Sequence, residues 1–195
     1  MNHEGFVSLI RPIHKFTVNR MNLIQKTMKK FSGGKGLSGG AYGETYESVF
    51  VQSCREKKIR IIVSPHGAVT DVYFEDYQAM LQIKTNQGGN KAISYNGGKT
   101  LHKGGTRGEA VKLYVSRVTE QFNDIYDSAK NFYLMSYNAD GQIFDVYHLA
   151  EIKKNRLLFV NDFIHKAPKG YNPHSRVGHE LLFSVNVLHK IYGEP

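Results

Sequence analysis

An α+β (mixed α/β) domain with a central mixed sheet flanked by helices is predicted by three observations. Apolar residues recur at steps of three and four in several segments. Runs rich in Ile, Val and aromatic residues, bounded by turn residues, mark strands elsewhere. Taken in chain order these give helix, three strands, helix, two strands, an order that packs helices onto a sheet. The 195 residues are 41% hydrophobic and 22% charged, enough for one domain with a real core and unlike a disordered chain.

Met21, Ile24, Met28 and Phe31 fall at helical spacing, which predicts a short helix over 20–31. GGKGLSGG (33–40) is too rich in glycine for regular structure and reads as a flexible connector. Residues 1–40 therefore read as a basic amino-terminal arm, and 41–195 as a single domain. A second helix is predicted over 41–56, with Tyr42, Tyr46, Val49, Phe50, Ser53 and Cys54 in one sector. Glu47 lies on the flank of that apolar face, and Glu44 points nearly away from it.

KIRIIVS (58–64), AVTDVYF (68–74) and QAMLQIKT (78–85) read as strands. The first stops at the turn signal Pro65-His66-Gly67, and the last two flank the short Glu75-Asp76-Tyr77 connection as an antiparallel hairpin. Residues 86–108 hold seven glycines and read as a long loop, with a small hairpin inside it as one option. Residues 109–130 carry the strongest helical periodicity. NFYLMSY (131–137) and QIFDVYHL (142–149) flank Asp140-Gly141, a hairpin turn signal. LLFV (157–160) reads as a further strand, and 180–192 fits either strand or helix.

The formal net charge of +9 is unevenly placed. Residues 1–41 hold seven basic side chains against Glu4 alone, and 85–108 hold Lys91, Lys99, Lys103 and Arg107 with no acid. Such segregation favours a polyanionic partner, nucleic acid above all. These four side chains read as phosphate contacts, and Arg176 can pair with guanine through two hydrogen bonds. The single Cys54 excludes an internal disulfide and any multi-Cys zinc knuckle. No apolar run approaches the ~18 residues of a membrane span, and the amino end shows no signal-peptide pattern. A soluble, intracellular (cytoplasmic) protein with no membrane partner is expected.

The hairpin carries the chemistry. With the turn centred between Asp76 and Tyr77, residues whose numbers sum to 153 face each other, so Asp71 lies opposite Gln82. Alternation places Gln82 and Lys84 on one face and Ile83 on the other. A carboxylate beside another oxygen ligand can hold Mg²⁺, a hard cation, which stabilises phosphoryl charge and acidifies a bound water. A nearby Lys can position that water or offset the developing charge. Glu75 and Asp76, in the turn, are further carboxylates within reach of this reading.

The pattern Thr70-Asp71-Val72-Tyr73-Phe74 followed by Gln82-Ile83-Lys84-Thr85 resembles the PD-(D/E)XK nuclease superfamily. Its members include many type II restriction endonucleases, Holliday-junction resolvases and Mrr-like enzymes. Gly43-x-x-Tyr46-Glu47 is similar to the family's opening-helix motif, in which a Glu joins the metal site. The resemblance covers roughly residues 40–137. It implies a restriction-endonuclease-like core and a Mg²⁺-dependent DNA endonuclease in which Mn²⁺ substitutes. Asp71, the Gln82 oxygen and Glu47 would hold the metal, and Lys84 would orient the attacking water, leaving a 5′-phosphate and a 3′-hydroxyl. Double-stranded DNA and a homodimer that cuts both strands fit the same resemblance. A sequence-specific type II-like enzyme is preferred to a junction resolvase because the 86–108 loop offers recognition surface. Two positions depart from the pattern: Thr70 replaces the usual Pro, and Gln82 replaces an acid, which makes the site less negative. That second departure motivates the alternative of a non-catalytic nucleic-acid-binding protein on a degenerate nuclease core.

Other motifs fail on spacing. A Walker loop ending at Gly98-Lys99-Thr100 needs its first Gly where Ile93 stands, and His179-Glu180 lacks the second His of a zinc-protease motif because Phe183 occupies it.

Overall fold

Asn2 opens the first helix by accepting a hydrogen bond from the Gly5 backbone N–H at 2.9 Å. In this computed structural model, which describes residues 2–65, 70–86, 92–95, 131–140, 143–155, 158, 181–184 and 191, helix α1 runs His3–Phe31. Glu4 in its first turn and Lys29 and Lys30 in its last complement the helix dipole. The short helix expected over 20–31 is thus the end of one more than twice as long. Pro12 lies within it and removes one helical hydrogen bond, at a typical cost of ~3 kcal/mol. Burial of Phe6, Ile10, Ile13 and Met21 outweighs that cost, and Ser8 and Pro12 sit on the exposed face where water serves the orphaned carbonyl. The segment read as an arm is part of the main core.

The glycine-rich stretch is tied down rather than loose. Gly33 and Gly34 adopt positive φ to leave the helix, and Gln25 holds Leu37 through both backbone groups, at 2.7 and 3.0 Å. Helix α2 (Gly39–Glu56) follows and buries Tyr42, Tyr46, Phe50, Ser53 and Cys54, the sector its periodicity predicted. It meets α1 through a buried His14–Tyr46 hydrogen bond of 2.6 Å, through Thr17 donating to Ser53, and through an exposed Arg20–Glu56 ion pair. Lys58 takes a left-handed conformation just beyond α2. The Ile59 N–H bonds back to the Cys54 carbonyl, so strand β1 begins only at Ile61 and runs to Val63.

Strands β2 (Val72–Phe74) and β3 (Ala79–Asn86) form the predicted hairpin around a 3-10 turn at Glu75–Tyr77. Their antiparallel register pairs Val72 with Leu81, Tyr73 with Met80 and Phe74 with Ala79, the register expected from the turn. A separate strand, β4 (Ala92–Tyr95), lies in the segment read as a loop; β5 (Phe132–Asn138) and β6 (Ile143–His148) form the second expected hairpin. Asp140 N–H bonds to the Asn138 side chain in the turn between them. A short α3 (Leu149–Lys154) follows β6, and β7 (Leu181–Ser184) is a strand.

The main sheet has the order β1-β2-β3-β5-β6, antiparallel except for the parallel β3–β5 pair. The hairpin considered within 86–108 does not account for β4, which pairs instead with the distant β7. The fold is therefore mixed α+β with a five-stranded mixed sheet and helices. Helix α2 packs on β1 and β3, and α1 on α2 and β6. Phe6 stacks on Tyr133 with ring centroids 3.9 Å apart and meets Phe74 edge-on, joining α1 to β2 and β5. The helix predicted at 109–130 and nearly all of the 157–160 strand lie outside the described residues.

Candidate active site

Asp71 is fixed by its backbone before its side chain matters. Its N–H donates to the Leu81 carbonyl at 2.9 Å, and its carbonyl accepts from Ser64 N–H at 3.0 Å. The residue is thus clamped between the end of β1 and the body of β3. Its Oδ2 then accepts the Ile83 N–H at 2.6 Å and the Gln82 side-chain amide at 3.0 Å. Burial nevertheless raises the Asp71 pKa. The Ile83 hydrogen bond and the positive charge of Lys84 act in the opposite direction without reversing the shift.

Gln82 is buried and faces Asp71, as the hairpin register predicts, while Ile83 turns into the hydrophobic core. Because an ionised carboxylate only accepts, the Gln82 nitrogen must be the atom turned to Asp71. Its carbonyl oxygen is the atom left for another ligand. Lys84 is half-buried and close enough to favour the ionised forms of both Asp71 and Glu47. Among the described residues it closes no ion pair with either.

Glu47 reaches the same region from α2. Its helix can lie close to β3 because Gly43 has no side chain: a Cβ there would stand 3.2 Å from the Thr85 hydroxyl. One turn later, Glu47 lines a cleft of about 550 Å³ between α2 and the β1–β2 end of the sheet. Asp71, Ser64 and Thr70 form part of its opposite wall, with the two hydroxyls 3.0 Å apart. The Glu47 carboxyl is pushed up to about 7, chiefly by burial and next by the Asp71 charge, with Glu44 adding to the rise and Lys84 opposing it.

Of the four residues expected to converge, Glu47 and Asp71 line the cleft directly. Gln82 joins through its hydrogen bond to Asp71, and Lys84 through its charge. Glu75 and Asp76 do not take part. They sit at the far end of β2 from Asp71, and Asp76 pairs with Arg60. Glu44, set aside in favour of Glu47, also lines the cleft from an exposed position. Lys91, Lys99, Lys103, Arg107 and Arg176 lie outside the described residues.

Arg55, Ser48, Ser64 and Thr70 line the cleft and were not singled out as ligands from the sequence. Arg55 had a readable signal, since it stands eleven residues after Glu44, a spacing that returns to nearly the same face of an α-helix.

The donor set is made of oxygens, which suits a hard cation. Mg²⁺ commonly uses one or two carboxylates and completes its shell with water and substrate phosphate. Two carboxylates facing one cleft, one of them raised chiefly by burial and next by the charge of the other, are an arrangement that a divalent cation relieves. Among the described residues no three His, Cys, Asp or Glu side chains group as a metal-holding cluster. A cation here would thus depend on Glu47, Asp71 and non-acidic oxygens. No protein-family model matches the chain, and no curated protein or solved structure matches it either.

Proposed function

We propose that this protein is a Mg²⁺-dependent endodeoxyribonuclease of the restriction-endonuclease-like kind, hydrolysing phosphodiester bonds in double-stranded DNA. The observation that carries this reading is the meeting of Glu47 from α2 and Asp71, the residue just before β2, at one cleft, within the field of Lys84. Asp71, Glu47 and the Gln82 carbonyl oxygen would hold the cation, which when bound supplies charge stabilisation and an acidified water. Lys84 orients the attacking water and offsets charge on the phosphoryl oxygens. The clamp on Asp71 from Ile83 and Leu81 fixes the carboxylate before substrate arrives, so little reorganisation accompanies the reaction. In-line attack leaves a 5′-phosphate and a 3′-hydroxyl. Within this class, a sequence-specific type II-like enzyme is the preferred form, and a junction resolvase or Mrr-like nuclease the alternative.

Gln82 favours a second reading, a nucleic-acid-binding protein that retains a degenerate core, because an amide bonded to Asp71 adds no third charge for a metal. Incubation of plasmid and phage DNA with Mg²⁺ or Mn²⁺ separates the two. The nuclease reading predicts cleavage by the wild type that Lys84→Ala abolishes. Discrete fragments mark sequence specificity, and preference for four-way junctions marks a resolvase. Binding without cleavage of double-stranded, branched or modified DNA, or of RNA, supports the second reading.

A further inference from the structure

We infer that Arg55 forms a second phosphate subsite in the cleft, for a phosphate other than the one that meets Glu47 and Asp71. The identity of that first phosphate rests on the nuclease reading. The cationic end of the cleft stands on its own geometry.

Glu44, Glu47, Ser48, Val51 and Arg55 lie along one face of α2, and all line the cleft. At ~1.5 Å per residue, Glu47 and Arg55 are about 12 Å apart along the helix axis. That length of helix leaves room in the cleft for two phosphates of one strand, one toward Glu47 and Asp71 and the other toward Arg55. In duplex DNA the phosphates of one strand recur every ~3.4 Å along the axis, which places the two ends roughly three to four nucleotides apart.

Arg55 is equipped for the role by what its neighbours do. Arg20 is paired with Glu56, and Arg60 with Asp76. The Arg55 side chain is exposed and makes no hydrogen bond or ion pair with any described residue, so its five N–H donors are open to a ligand. A guanidinium offers two parallel hydrogen bonds to a phosphate. Its place in the last turn of α2, at the negative end of the helix dipole, also favours the positive charge. Across the cleft, Ser64 and Thr70 use one hydroxyl proton between them and keep one for a ligand oxygen. The substrate class that fits both ends is a polynucleotide strand, rather than a mononucleotide or a small phosphodiester.

The test is fluorescence anisotropy with a labelled 20-base-pair duplex in EDTA over a range of NaCl, comparing wild type, Arg55→Ala and Arg55→Lys. Arg55→Ala should weaken binding about five- to tenfold and reduce the slope of log K against log salt by about 0.9, one phosphate contact. Arg55→Lys should restore the slope and only part of the affinity, because the paired geometry is lost. Equal affinity and slope for Arg55→Ala, or no duplex binding by the wild type, overturns the subsite. A parallel assay separates this result from the fate of the nuclease reading. Arg55→Ala should raise KM on plasmid DNA by a larger factor than it lowers hydrolysis of bis(p-nitrophenyl) phosphate, which has a single phosphate. A wild type that cuts nothing sinks the nuclease reading, and the anisotropy result still decides Arg55.

Discussion

Gln82 donates its side-chain amide to the Asp71 carboxylate across 3.0 Å, joining two positions that face each other in the β2–β3 register. An acid at position 82 would set two buried carboxylates against each other, whereas the amide supplies Asp71 with a donor. Relative to an acid, Gln82 leaves the site with one negative charge fewer, and the bond satisfies one of its amide donors.

Gln82→Glu tests what that exchange does. Without metal, the new carboxylate should cost about 1–3 kcal/mol of stability through lost hydrogen bonding and like-charge contact. Mg²⁺ should then raise the melting temperature of the variant by more than that of the wild type. Thermal unfolding with EDTA and with Mg²⁺ measures both effects. Equal responses to Mg²⁺ count against a cation at Asp71.

Buried His14 and half-buried Glu47 should shape the pH dependence of stability with opposite signs. Glu47 titrates at about 7 in the folded chain, above its ordinary 4.5. Between these values the folded chain holds the proton that the unfolded chain has released, so stability from this group falls as pH rises through about 7. His14, stacked on Phe144 and bonded to Tyr46, is lowered from 6.5 to about 4 by burial and then by Arg11. Its contribution is intact above about 6.5 and is lost as pH falls toward about 4. Glu47→Gln should therefore gain stability over the wild type near pH 8, by about 1 kcal/mol since water screens the half-buried carboxyl, and little near pH 4.5. His14→Gln, which keeps a partner for the Tyr46 hydroxyl, should be less acid-sensitive than the wild type. Urea unfolding across this range checks both, and curves parallel to the wild type refute the assignments.

Gly43 sets how closely α2 approaches β3. Gly43→Ala places a methyl 3.2 Å from the Thr85 hydroxyl, which a small side-chain adjustment accommodates. Gly43→Val adds two further methyl groups and should push the helix outward, at about 1–3 kcal/mol. The account predicts near wild-type cleavage for Gly43→Ala and a loss for Gly43→Val that exceeds its loss of stability, because Glu47 moves with the helix. Cleavage rates measured well below each melting temperature separate the two effects.

The sequence made the site hairpin legible because a four-residue connection leaves little freedom of register, and Asp71 opposite Gln82 follows from counting. The buried face of α2 was equally readable from its period. The start of α1 was hidden by Pro12, whose local preference is overcome only by the burial of Phe6, Ile10 and Ile13 against distant strands. The β4–β7 pair was unreadable for a related reason, since its partners lie far apart in the chain and no local turn links them. Gln82 appeared in the sequence as a ligand beside Asp71. Its role as a donor to Asp71 required the positions of both side chains.

Asp71→Asn provides the most direct test of the central claim that Asp71 anchors a metal-dependent phosphodiesterase site. The variant keeps the shape of the side chain and an oxygen for the Ile83 N–H, whereas Asp71→Ala would strand two donors and confound fold with chemistry. The measurement is the single-turnover rate of plasmid cleavage in Mg²⁺, taken beside the affinity for the same DNA. The account predicts a fall of at least about 100-fold in rate with affinity unchanged. Cleavage by Asp71→Asn at the wild-type rate would contradict it.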